Sequence, residues 1–224
     1  MRACSPNPGQ DAPIPGHPYS GPSNGPMPME EFRATTFGTP LGALTVVVTP
    51  AGVVATLFED DDREPTVDTL ERLLGGELRD SPRDLAKIRA QIDAYFEGRL
   101  RTFDAPVDLR LAREGFPRRV LAVTAAIPFG ELWTYGDVAD AAGSPRGGRA
   151  AGNALGRCWI ELLVPCHRVV HSGGTIGGYG RHEDRKRWLI RHEGHSVVMA
   201  ADLAADRTKS PASRAGRSAP GARR

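Results

Sequence analysis

The sequence predicts an α/β N-terminal domain, a small antiparallel sheet with helices, followed by a mostly α C-terminal domain built on a helix-turn-helix. Three observations carry this reading. β-Branched runs separated by Gly/Pro turns fill residues 32–58. Apolar residues at helical spacing follow over 67–96 and resume from Phe116. Two short helical segments then stand on either side of Gly143, the second almost bare of bulky side chains.

The elements follow in order. Residues 1–29 hold eight Pro and four Gly, which leaves few backbone donors and little apolar surface, so this stretch is expected to be a disordered extension. An N-terminal α/β domain is expected over 30–112. Phe32–Phe37 and Leu44–Val48 flank the turn at Thr39-Pro40-Leu41-Gly42 and predict a hairpin, with Val53–Phe58 as a third strand. Glu59–Asp62 is a solvated acidic run. Val67–Leu74 and Leu85–Phe96 predict helices; in the second, Leu85, Ile88, Ile92, Tyr95 and Phe96 share a face and Gly98 ends it. Residues 99–115 connect, with strand-like Phe103 and Val107.

A C-terminal domain is expected over 113–199. Val120, Leu121, Val123, Thr124 and Ile127 form an apolar helical stripe that ends at Pro128-Phe129-Gly130. Thr134-Tyr135-Gly136-Asp137 has the form of a capping box and opens a short helix, Gly136–Ala142. Ser144 as N-cap and Pro145 at the first helical position predict a second helix to Leu155. Gly147, Gly148, Ala150, Ala151, Gly152 and Ala154 leave that helix bare, although Gly costs roughly 1 kcal/mol each against Ala. Such a face permits close packing on a neighbouring helix or entry into a narrow groove. Residues 200–224 are expected to be a disordered basic tail.

Composition narrows the function. The chain has 224 residues, 29 Lys+Arg, 27 Asp+Glu and a net charge of +2, with 40% apolar residues. No apolar run approaches the ~20 residues of a membrane span, and Arg2 is followed by no apolar stretch of a secretory signal. Three cysteines, Cys4, Cys158 and Cys166, cannot make a disulfide framework, so a reducing, cytoplasmic setting is expected. Residues 30–117 carry 11 basic and 17 acidic side chains, whereas 118–199 carry 11 basic and 7 acidic. The basic half has the sign of a polyanion-binding face, and scattered surface charge would give the same balance.

Chemistry concentrates in Leu162-Leu163-Val164-Pro165-Cys166-His167-Arg168-Val169-Val170, an apolar, strand-like run interrupted by a reactive pair. A thiol becomes a good nucleophile when its pKa falls or a base takes its proton, and His167 stands beside it to act directly, through water, or after orientation by a carboxylate. A lone buried Cys is usually a small core hydrophobe. The adjacent pair in an apolar run favours a functional role.

This segment resembles the active-site motif of the O6-alkylguanine-DNA alkyltransferases, which repair alkylated guanine. Ile127-Pro128-Phe129-Gly130, Thr134-Tyr135-Gly136-Asp137-Val138-Ala139 and Arg149-Ala150-Ala151-Gly152-Asn153-Ala154-Leu155 resemble the family's helix-turn-helix. Gly174–Tyr179, Lys186-Arg187-Trp188-Leu189 and His192-Glu193-Gly194 resemble its downstream blocks. The match is specific over about 116–195 and looser over 32–115. The resemblance implies a ribonuclease-H-like N-terminal domain and a winged-helix-like C-terminal one. It implies that Cys166 accepts the alkyl group, that His167 acts as base through water with its tautomer held by Glu193, and that Tyr135 donates a proton to the guanine. Arg149 would fill the space of the flipped base, with Ala150, Gly152, Asn153, Thr134 and Tyr135 against the minor groove. Val169, Tyr179, Gly180 and Arg181 would line the substrate pocket, and Arg168 would be structural. It further implies duplex DNA containing O6-alkylguanine as partner, a nucleoid-associated monomer, no cofactor and no metal. The thioether product is a poor leaving group, so each molecule would turn over once.

The sequence departs from the family pattern at three places. Cys158-Trp159 replaces an Asn-Pro pair whose Asn ties the DNA-binding helix to the active site; Asn153 or Trp159 could supply that tie. Arg181-His182-Glu183-Asp184 replaces a small, Gly-rich loop, which predicts poor repair of benzyl adducts. Leu121 replaces a Trp. Two other functional classes compete with this reading. A lesion-binding protein without transfer activity would share the helix-turn-helix but lack the acceptor Cys. A Cys/His hydrolase would need an oxyanion hole and sequence-distant partners.

Overall fold

The computed structural model describes residues 32–59, 67–179 and 182–195. The expected extension over 1–29 and the basic tail over 200–224 lie outside them, as does most of the acidic run.

Strands β1 (Phe32–Thr39), β2 (Gly42–Thr49) and β3 (Gly52–Phe58) form an antiparallel meander. The first turn is fixed by Thr39, whose hydroxyl donates to Gly42 O at 2.7 Å and accepts from the Leu41 amide at 3.1 Å. Helix α1 (Val67–Leu74) then crosses to β4 (Leu78–Asp80), which pairs parallel to β1 in a sheet of order β3-β2-β1-β4. The sheet is therefore mixed, not purely antiparallel. The pleat sends Leu44 and Val46 to one face and Val47 to the other, so both faces are buried. Leu70 of α1 covers the smaller face. Ile88, Ile92 and Tyr95 of α2 (Ala86–Phe96) join the core of the larger one.

That larger core continues into the C-terminal half without a break. Helices α3 (Phe116–Ala125), α4 (Tyr135–Ala141) and α5 (Gly148–Leu155) pack on one another, with Val120, Leu121, Val138 and Ala151 at their centre. Strand β5 (Trp133–Thr134) pairs with β6 (Val169–Val170), and α6 (Glu183–His192) closes the described chain. Thr56 of β3 joins the halves: its amide donates to Trp159 O at 2.7 Å and its hydroxyl to Glu161 O at 2.8 Å.

Two local expectations change. The α4 capping box forms as read, with Asp137 N–H donating to Thr134 Oγ1 at 3.1 Å and Thr134 N–H to Asp137 Oδ2 at 2.8 Å. Helix α5, however, starts at Gly148 with Gly147 as N-cap, and Ser144-Pro145 sits in the preceding turn. The Gly147 amide donates to Ser144 O at 2.8 Å there, closing a tight turn that Pro145 suits equally well.

Candidate active site

Cys166, His167 and Arg168 form a 3-10 turn after Pro165, with β6 following. The reactive pair therefore precedes a short strand and does not lie within one. A 3-10 turn lets adjacent side chains diverge, so Cys166 faces a cavity while His167 and Arg168 turn toward α6.

The carboxylate of Glu193, just past α6, collects buried donors. His167 Nε2 lies 2.9 Å from Oε1, Tyr95 Oη donates to the same oxygen at 2.8 Å, and Arg168 Nη2 does so at 2.9 Å. Arg168 Nε donates to Oε2 at 2.8 Å, and the Gly130 amide adds a longer bond at 3.3 Å. Arg168 Nη1 also holds Ile127 O. Burial opposes the Glu193 charge, but the His167 and Arg168 hydrogen bonds outweigh it and hold the carboxyl well below its ordinary range. His167 is pushed below its usual value, chiefly by burial, against the pull of Glu193. A neutral ring that donates from Nε2 leaves the Nδ1 lone pair free, and Nδ1 is buried with no protein partner.

Cys166 lines a cavity of about 230 Å³ with Tyr135, Gly152, Cys158, Glu161 and Tyr179. Its thiol pKa is raised well above the ordinary value. A hydrogen bond with the Cys158 thiol is the largest cause, then burial, with the Glu161 carboxylate adding and Lys186 opposing. Tyr135 is raised by burial and then by Cys166, so both stay protonated near neutral pH. Tyr179 is likewise raised by burial and by Glu161. Lys186 is fully buried, donates to Val169 O at 2.6 Å, and is lowered by burial to about 8.

Tyr135 is held by small neighbours. A Cβ on Gly177 would stand 2.2 Å from its hydroxyl, and one on Gly152 would stand 3.6 Å from its ring. His171 packs against the same ring with centroids 5.1 Å apart. The bareness of α5 thus serves packing first: Gly148 and Gly152 face α4 and Ala151 and Ala154 are buried. The opposite face leaves Arg149, Ala150 and Asn153 exposed.

The structure therefore brings together Cys166, Tyr135, Gly152 and Tyr179 around one cavity, and His167 and Glu193 beside it. The Thr134 hydroxyl is engaged with Asp137 in the cap. Val169 is buried, and its carbonyl already accepts from Lys186. Gly180 and Arg181 lie outside the described residues. Sequence reasoning assigned no site role to Tyr95, Glu161, Lys186 or His171. Tyr95 was legible only as a core residue of α2, and Lys186 only as part of a motif. The Cys158 thiol accepts from the Ile160 amide at 3.4 Å, a local bond that does not reach α5, and the Trp159 carbonyl is engaged with the Thr56 amide of β3.

Comparisons with known proteins cover both halves. The family described as 6-O-methylguanine DNA methyltransferase, ribonuclease-like domain, matches residues 32–109, and its DNA binding domain matches 115–195. A methylated-DNA–protein-cysteine methyltransferase of Mycolicibacterium paratuberculosis is 35% identical over 175 residues, 76% of this chain and 99% of that protein. One from Salmonella typhimurium is 36% identical over 168 residues, 71% of this chain and 94% of that protein. The crystal structure of Mycobacterium tuberculosis O6-methylguanine methyltransferase superposes with a TM-score of 0.63 at 32% identity, covering 80% of this chain and 99% of that one. The M. tuberculosis OGT structure in complex with DNA gives 0.64 at 33% identity, covering 72% and 92%.

Proposed function

The chain belongs to the O6-methylguanine-DNA methyltransferase family in both its domains, and on that premise we propose that it repairs O6-alkylguanine in duplex DNA by single-turnover transfer of the alkyl group to Cys166. The observation that carries this reading is the arrangement at Cys166: a thiol on a cavity shared with Tyr135, beside a buried His167 whose Nδ1 lone pair is free and whose Nε2 is tied to Glu193.

In this proposal Cys166 Sγ attacks the alkyl carbon, the carbon–O6 bond breaks, and its electron pair passes to the purine. His167 Nδ1, through water, takes the thiol proton, and Tyr135 delivers one to the guanine. Once the proton on His167 returns to the Tyr135 phenolate, the net change converts thiol and O6-alkylguanine into thioether and guanine, with one proton passing from sulfur to the base. Protonation matters because the purine anion is otherwise a poor leaving group. The base reaches the cavity by flipping, and flipping costs a few kcal/mol. In this reading Arg149, exposed on α5, fills the vacated stack, with Ala150 and Asn153 of the same face against the minor groove, while Gly152, which faces Tyr135, lines the cavity instead. The M. tuberculosis OGT structure in complex with DNA supports DNA as the partner.

The test is intact mass after mixing with duplex DNA carrying O6-methylguanine, beside Cys166→Ala. One added methylene per molecule on the Cys166 peptide, absent from the variant, is expected. Tight lesion-selective binding with no mass change would instead make the protein a damage sensor. Neither binding nor transfer would refute both readings.

A further inference from the structure

Cys158 and Cys166 are the two cysteines among the described residues, and both are buried on the wall of the same cavity of about 230 Å³. The chain between them doubles back. Val164 N–H donates to Ile160 O at 3.0 Å and Leu163 N–H to Glu161 O at 2.9 Å, with Leu162 in the left-handed region at φ 68°. Leu is uncommon at such a φ. Its almost complete burial anchors the turn. The turn sets Cys158 and Cys166 on the wall of one cavity, and the Ile160 amide donates to Cys158 Sγ at 3.4 Å. Cys158 also lines a second cavity of about 690 Å³ on its other side, between the two halves of the protein. Nothing in the alkyl-transfer chemistry requires a second thiol at this position.

We infer that Cys158 and Cys166 form an oxidative modification site, a dithiol that a hydroperoxide converts to an intramolecular disulfide. The Cys166 thiol attacks an oxygen of hydrogen peroxide as its proton passes to the departing hydroxide, so the O–O bond breaks and a sulfenic acid and water form. The second thiol attacks the sulfenic sulfur, the S–S bond forms, the S–O bond breaks, and a second water leaves. The two thiols lose two electrons and the peroxide gains them. The consequence for repair rests on the proposed function: a disulfide-bonded Cys166 cannot accept an alkyl group, and reduction restores it. A Cys166 with no thiol partner continues instead to the irreversible sulfinic acid. Cys158 thereby acts as a resolving thiol for an acceptor that is used once.

The sequence makes the test direct. Arg157 and Arg168 flank a stretch with no internal Lys or Arg, so trypsin releases both cysteines in one peptide, 158–168. The full chain is treated with hydrogen peroxide, blocked with iodoacetamide and digested. The peptide is expected to lose two hydrogens, to take no label until reduced, and to regain two labels after dithiothreitol. Alkyl-transfer capacity is expected to fall in proportion to the oxidised fraction and to return on reduction. In Cys158→Ser the same treatment should give a dimedone-trapped sulfenic acid or a sulfinic acid on Cys166, with activity that reduction does not fully restore. Cys158→Asn provides the same comparison should the serine variant fail to fold. Sulfinic acid on the wild-type peptide without disulfide, or a disulfide to Cys4, would overturn the inference. A reduced protein that transfers no alkyl group would overturn the proposed function while leaving the peptide result standing on its own.

Discussion

Replacing Glu193 with Gln removes the charge from the most heavily used acceptor in the site. Oε1 accepts from His167, Tyr95 and Arg168, and Oε2 from Arg168 and Gly130. A Gln amide nitrogen at either position faces at least two donors, so no rotamer rescues the cluster. Arg168, whose side chain is 7% exposed, loses its counter-charge. Breaking a buried pair by removing one partner costs about 3–5 kcal/mol, and the retained carbonyl oxygen puts this case near 3. With a urea slope of about 2 kcal/mol per molar, the midpoint should fall by roughly 1.5 M. The pH dependence has a definite sign. The folded carboxyl lies below its unfolded value, so its contribution is complete above the unfolded pKa and is lost as pH falls toward the folded one. The gap between wild type and Glu193→Gln should therefore be constant near neutrality and narrow below about pH 4. Urea unfolding followed by tryptophan fluorescence at pH 7 and at pH 3 measures both. A midpoint shift near zero at pH 7, or an equal gap at both pH values, would refute the reasoning.

Three further outcomes are expected. Gly177→Ala should displace Tyr135, because its Cβ would meet the hydroxyl and ring within 3 Å; single-turnover transfer should slow markedly while the far-UV spectrum is retained, and an unchanged rate would mean Tyr135 has room to move. Thr134→Ala removes the α4 cap and should cost about 1 kcal/mol in chemical denaturation, with a neutral result placing the helix start under tertiary control. Burial lowers His167, so the transfer rate should stay flat as pH falls through about 6.5, the usual imidazole value. An inflection at that pH would show an ordinary solvated histidine, and a rate rising tenfold per pH unit above neutrality would replace His167 with hydroxide as base.

The legible parts of the fold were those set by local pattern. The meander follows from Val46-Val47-Val48 and Val53-Val54 around Gly/Pro turns, and the helices from their apolar stripes. Strand β4 was not legible because Leu78-Arg79-Asp80 has no β-branched residue and forms only by pairing with β1. Cys166 read as part of a strand because its flanks are branched aliphatics; Pro165 and the Glu193 cluster instead wind it into a turn. The Cys166–His167–Glu193 constellation was accessible through motif resemblance. The role of Tyr95 was not, since its hydroxyl reaches Glu193 across 98 positions of sequence from a helix whose spacing announces only a core face.

In the proposed transfer, the charges around Cys166 favour a concerted event over a preformed thiolate. Arg168 neutralises Glu193 within the cluster, and at Cys166 the neighbouring Cys158, burial and the Glu161 carboxylate outweigh Lys186. The sulfur therefore rests as a thiol, and Tyr135 rests as a phenol. Beside this cavity His167 Nδ1 is a buried base with a free lone pair. Removing the thiol proton creates a charge that the site disfavours unless the alkyl carbon is already there to take the sulfur electrons. Breaking the carbon–O6 bond creates a purine anion unless Tyr135 supplies its proton. Each half of the reaction relieves the other, so an unoccupied site spends nothing. Tyr135→Phe separates the two halves. It preserves the ring against Gly152 and His171 but removes the proton, so transfer should slow by about 10²- to 10⁴-fold, the range for general acid catalysis. Lesion binding, read by fluorescence anisotropy on duplex DNA with O6-methylguanine, should persist. A loss of less than about tenfold would mean that solvent protonates the guanine and that the phenol is a packing group.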